Sequence, residues 1–170
     1  MNHKLIKDLL GEDELGVVIR AHIHIEEYVD KFFAIKIDDC NYLAKIKLEF
    51  SEKVLLALSL GLDKEFQKPL MVISKIRNKF AHKTDSTLTE SDVNNLYKSF
   101  CSEEKAELQD MIKNNPDRPE SLSDKYSKLS VMEKLVVMVI YMSTKFEMII
   151  DEEVQSLQKM VRLIEAESNA

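Results

Sequence analysis

Residues 70–82 read Leu70-Met71-Val72-Ile73-Ser74-Lys75-Ile76-Arg77-Asn78-Lys79-Phe80-Ala81-His82, an apolar stripe that runs into an arginine, an amide and an imidazole. Leu70, Met71, Ile73 and Ile76 recur at helical spacing, and the turn-prone Lys83-Thr84-Asp85-Ser86 follows at once. The pattern predicts a helix over about 64–82, within which Pro69 marks either a first-turn start or a kink. Arg77 can grip a phosphate and His82 can move a proton near neutral pH. Side chains at a helix end are accessible yet rigidly held. The plainer reading is a capped helix terminus: Arg77 pairs with Glu26 or Glu27, Asn78 closes the backbone, and His82 satisfies terminal carbonyls.

Working outward, the rest of the chain also reads as helix. Residues 13–36 carry Leu15, Val18, His22, Ile25, Val29, Phe32 and Phe33 three to four apart. A second helix is expected over about 41–60, burying Leu43, Ile46, Phe50, Val54, Leu55 and Leu58 and ending at Gly61. Thr87 with Glu90, or Thr89 with the acids after it, offers a cap for a short helix over about 90–100, and Ser102 opens another that ends near Asn114. Residues 115–121, Asn-Pro-Asp-Arg-Pro-Glu-Ser, must form a loop. Ser130 and Glu133 form a capping-box pattern ahead of a long apolar stripe, so a last helix is expected over about 130–165. At ~34 residues it would be ~51 Å long, more than a globule of this size covers, so its end projects or packs on another subunit. Its methionines, Met132, Met138, Met142, Met148 and Met160, suit either core packing or an adaptable partner surface.

With 170 residues, three glycines, three prolines and no tryptophan, the chain predicts one all-α domain, a helical bundle with a long C-terminal helix. The formal net charge of −6 argues against a general nucleic-acid coat. Between residues 64 and 83, however, Lys64, Lys68, Lys75, Arg77, Lys79 and Lys83 face the single acid Glu65. Such an island can focus an anionic ligand, or it is the wet face of a helix. Cys40 and Cys101 have neither disulfide nor zinc spacing. No apolar stretch approaches the ~20 residues that span a bilayer, so a cytoplasmic protein without membrane contact is expected. Gly11, Gly16 and Gly61 are too scattered for a phosphate-binding loop, and no catalytic triad has local support. His22 and His24 diverge by about 200° on a helix and cannot share one ion, which leaves His22 as a hydrogen-bonded core residue.

The order Arg77-Asn78-Lys79-Phe80-Ala81-His82 resembles the Arg, polar, spacer, His motif of the HEPN superfamily, helical domains that include many metal-independent ribonucleases. The wider stretch is similar to the mannitol-repressor-like branch: Ile25-Glu26-Glu27-Tyr28 ends a first helix, Lys45-Ile46-Lys47 leads to Ala57-Leu58-Ser59-Leu60-Gly61-Leu62, and the Arg-Asn-x-x-Ala-His segment follows. The resemblance covers residues 13–100 and implies an antiparallel HEPN-like bundle. It implies that His82 acts as general base or acid on an RNA 2′-hydroxyl or leaving 5′-oxygen, that Arg77 holds the scissile phosphate, and that Asn78 orients either one. Lys75, Lys79 and Lys83 would bind RNA phosphates, with Glu26 and Glu27 as supporting acids. No metal or cofactor is implied, because the 2′-hydroxyl supplies the nucleophile.

The expected function is an RNA-directed endoribonuclease of a toxin, defence or stress system. The alternatives are a non-catalytic mannitol-repressor-like regulator acting through protein contacts, and a scaffold that holds a nucleotide or phosphate. A homodimer and an antitoxin or regulatory protein are the expected partners. Geometry adds one condition. Five residues apart on a regular helix, Arg77 and His82 point about 140° from each other, so a shared site needs a second subunit or an unwound turn at Ala81.

Overall fold

The computed structural model describes residue 5 and residues 9–82, 85–116 and 118–168, which leaves the expected phosphate ligand Lys83 outside the described residues. Among them lie seven α-helices and two short 3-10 turns, with no strand. Helix α1 spans Glu14–Lys36 and starts where the Asp13 side chain accepts a hydrogen bond from the Gly16 N–H at 2.7 Å. Its buried stripe includes Val18, His22, Ile25, Val29, Phe32 and Phe33, as the spacing predicts, but Leu15, expected on the same stripe, is 52% exposed.

The expected single helix over 41–60 is instead two, α2 (Cys40–Ile46) and α3 (Phe50–Ser59). Between them Lys47 takes a left-handed φ of 53°, a conformation that costs a non-glycine residue about 1 kcal/mol. The restart is fixed by the Glu49 N–H, which donates to Glu52 Oε2 at 2.8 Å. The break rotates the two segments independently, so Ile46 and Leu55, expected in the core, are 63% and 51% exposed. Phe50, Val54 and Ala57 form the buried face of α3. Gly61, at φ +101°, ends the helix, and the Leu62 N–H reaches back to the Ala57 carbonyl at 3.0 Å.

A 3-10 turn over Lys64–Phe66 leads into α4 (Gln67–His82), which puts Pro69 in the first turn as a start rather than a kink. Helix α5 (Glu90–Ser99) uses Thr89 and Asp92 as its capping box. Helix α6 (Ser102–Asn114) is capped one residue earlier than expected, by Cys101, whose N–H donates to Glu104 Oε2 at 2.8 Å. The described part of 115–121 carries no helix. After a second 3-10 turn at Tyr126–Lys128, α7 runs unbroken from Val131 to Ser168, 38 residues or ~57 Å. Its start is closed by Ser130 and Glu133, the N–H of each donating to the other's side chain.

Helix α7 packs along α1 and also touches α5 and α6, while α1 packs on α3 and α4. Phe32, Phe33, Phe66 and Phe146 lie in the resulting core. Each such side chain contributes roughly 1.5–3 kcal/mol by leaving water. With α7 behind α1, the opposite face of α1 is left to meet α3 and α4. No helix among the described residues is long and apolar enough to cross a membrane.

Candidate functional site

Where α1, the α2–α3 junction and α4 meet, they enclose a cavity of about 460 Å³ lined by His22, Glu26, Leu48, Glu49, Phe50, Ser51, Ser74, Arg77, Asn78 and His82. Three expected catalytic residues, Arg77, Asn78 and His82, thus line one cavity of one chain. Helix α4 stays regular through His82, so neither an unwound turn nor a second subunit is needed to bring them together. Ser74, Asn78 and His82 follow at four-residue intervals on one helix face, and Arg77 reaches the same space from the edge of that face. The Arg77 guanidinium donates from Nη1 to Asn78 Oδ1 at 3.1 Å.

The capped-terminus reading needs Arg77 to pair with Glu26 or Glu27. Glu26 is taken by others: Lys53 Nζ lies 2.9 Å from its Oε1, and His22 Nδ1 lies 3.7 Å from its Oε2. Lys53 also holds Asp30 at 2.8 Å, so one ammonium ties two turns of α1 to α3. The two carboxylates raise the Lys53 pKa against the opposing effect of burial. Glu27 is exposed and does not line the cavity. Lys75 is exposed outside the lining. Lys79 is committed elsewhere, with its Nζ 2.7 Å from Asp92 Oδ2 and donating to the Thr87 carbonyl at 2.8 Å. Among the described residues, the basic island therefore resolves into Arg77, which lines the α1–α4 cavity, Lys79, which is tied, and the exposed Lys64, Lys68 and Lys75.

The residue that sequence reasoning underrated is His22. It is 6% exposed, and its ring tilts over Phe50 with centroids 4.5 Å apart. Burial is the largest influence on its pKa and pushes it below the usual 6.5; Glu26 opposes this, while Arg77 and Lys53 add to it. With Nδ1 turned to Glu26, Nε2 is the nitrogen left for a ligand. The signal was the four-residue spacing from His22 to Glu26 on one helix face, which puts a carboxylate beside the imidazole.

A second cavity of about 360 Å³ adjoins the first, with Leu48 shared between them, and is lined mainly by Phe33, Cys40, Leu43, Ala44 and the Asp30–Lys53 pair. Asp30 and Lys53 are paired with each other there, and Lys47 also lines it. Elsewhere, donor atoms of Glu65, Cys101 and Glu104 lie within 4.8 Å of one another, but the Glu104 carboxylate serves as the α6 cap. Compared with protein-family models, curated proteins and solved structures, the chain matches none.

Proposed function

We propose that the chain is an endoribonuclease whose centre is the α1–α4 cavity. The observation that carries this reading is the convergence of two imidazoles, His22 and His82, with the Arg77 guanidinium on one solvent-connected space. The resemblance of Arg77-Asn78-Lys79-Phe80-Ala81-His82 to the HEPN motif supports the same chemistry.

RNA carries its own nucleophile, so cleavage needs a base for the 2′-hydroxyl, an acid for the 5′-oxygen, and positive charge for the phosphorane between them. His22, kept neutral by burial, takes the 2′-hydroxyl proton. As the 2′-oxygen bonds to phosphorus, charge gathers on the non-bridging oxygens, where Arg77 binds them in a forked geometry. The phosphorus to 5′-oxygen bond breaks as His82 gives that oxygen a proton. The products are a 2′,3′-cyclic phosphate and a free 5′-hydroxyl. Asn78 holds the guanidinium in place through its side-chain carbonyl, and Glu26 favours the imidazolium that forms on His22.

The test is incubation of the purified chain with RNAs of varied sequence and structure, with the product ends analysed. Cleavage leaving 2′,3′-cyclic phosphates is expected, with Arg77→Ala and His82→Ala each slower by about 10²-fold or more. Absence of cleavage on every RNA, or full activity in His82→Ala, removes the reading.

A further inference from the structure

A hydroxyl inside a helix can return to its own backbone, and Ser59, Ser143 and Thr144 do so. Each donates to the carbonyl four residues earlier, at 2.9, 2.9 and 3.0 Å. Ser74 does not. It is 8% exposed in the middle of α4, it lines the α1–α4 cavity, and among the described residues its side chain has no hydrogen-bond partner. Its Oγ is not sealed off either, since among the described residues the buried side-chain atom that is both covered and unpaired is His24 Nε2. The Ser74 hydroxyl is thus turned to the cavity, where a ligand that enters completes its bonding.

Its neighbours define that ligand. Arg77 stands three residues on and Asn78 four, so both are its neighbours on the surface of α4, with Cβ atoms about 5–6 Å away. One guanidinium nitrogen is held by Asn78, which leaves the other N–H groups to a ligand. Two carboxylates also line the space, but Glu26 is paired with Lys53 and Glu49 belongs to the α3 capping box. A guanidinium and a hydroxyl one turn apart match an anion with at least two acceptor oxygens. Arg77, Asn78 and His82 are exposed, whereas Ser74 and His22 are buried, so Ser74 meets the anion from the floor of the cavity and Arg77 from its mouth. We propose that Ser74 Oγ is the second donor of an oxyanion site, binding one non-bridging oxygen of a phosphodiester while Arg77 grips the other. The hydroxyl keeps its proton and lends only a hydrogen bond. As charge gathers on the non-bridging oxygens during cleavage that bond strengthens, so Ser74 contributes to kcat. This last role rests on the endoribonuclease reading; the contact with phosphate does not.

The first experiment titrates inorganic phosphate into the full chain and follows the amide resonances of residues 74–78 by NMR. Ser74→Ala is expected to weaken phosphate binding by about tenfold, and Ser74→Thr, which keeps the hydroxyl, by no more than about twofold. The urea midpoint of Ser74→Ala should match or exceed that of the wild type, because no side-chain bond within the protein is lost. With RNA as substrate, Ser74→Ala should lower kcat by about tenfold, a larger effect than on KM. No phosphate binding by the wild type, unchanged affinity in Ser74→Ala, or an equal loss in the alanine and threonine variants would each overturn the contact. RNA left whole by the wild type, with phosphate binding still weakened in Ser74→Ala, would remove the endoribonuclease reading and uphold the contact.

Discussion

His22 and His24 stand two residues apart on α1, and both imidazoles are pushed below their usual pKa chiefly by burial. Their surroundings share little else. His22 meets Glu26, Phe50 and the Arg77 cavity. His24 meets Tyr28 edge-on at 5.0 Å, near Glu27, Lys31 and Glu147, and its Nε2 is buried without a hydrogen-bond partner. The Tyr28 hydroxyl donates to Glu147 and makes no hydrogen bond to that nitrogen. One histidine faces a space that can receive a ligand, and the other faces packing. The same residue type with the same direction of pKa shift carries two different roles, and what separates them is the polar group that each nitrogen meets.

The largest test of this contrast is activity. His22→Gln should slow RNA cleavage by about 10²-fold, whereas His24→Gln should leave the rate within about twofold. Initial rates on one RNA at pH 7 decide it, and equal losses would erase the distinction between the two faces of α1. The next effect is a shift in pH dependence. A base held below pKa 6.5 stays neutral into mildly acidic solution, so the acid limb of the rate profile should fall below pH 6.5. Lys53 pushes His22 down, so Lys53→Met should move that limb to higher pH, while a limb that stays put would argue against His22 as the base.

Stability gives the smallest signal. For both histidines the folded pKa is depressed, so the unfolded chain binds protons more readily, and the stability held above pH 6.5 is lost as pH falls through and below that value. His24→Phe removes the unpaired Nε2 and keeps an aromatic ring against Tyr28. It should raise the unfolding free energy by about 1 kcal/mol in urea titrations at pH 7 and flatten the decline between pH 6.5 and 5. A destabilised His24→Phe would mean that the ring nitrogen is satisfied after all.

Local signals were legible in the sequence wherever neighbouring residues produce the structure. Gly61 as a left-handed stop, the Thr89–Asp92 and Ser130–Glu133 caps and the α7 stripe all follow from short-range rules. The break at Lys47 did not, because an exposed lysine in the left-handed region has no compositional mark. Nor did a cysteine cap at Cys101. Arg77, Asn78 and His82 were named from residue type and order and Glu26 from the resemblance, but that the four line one cavity was not legible. A helical wheel records the 140° between Arg77 and His82 but neither the reach of an arginine nor the breadth of a cavity shared by three segments. The tie between Lys79 and Asp92 was hidden for the same reason, since it joins two helices.

The packing of α7 along α1 also sets the order in which the chain can mature. During synthesis α1 leaves the ribosome long before α7, so Val29, Phe32 and their neighbours wait exposed until the last helix arrives to cover them. That closure spans about a hundred residues of sequence, the kind of distant pairing that slows folding. Residues 13–100, which carry every side chain that lines the α1–α4 cavity, therefore share their core with a helix made much later. A nascent chain thus lacks the packing behind α1 until α7 has been made.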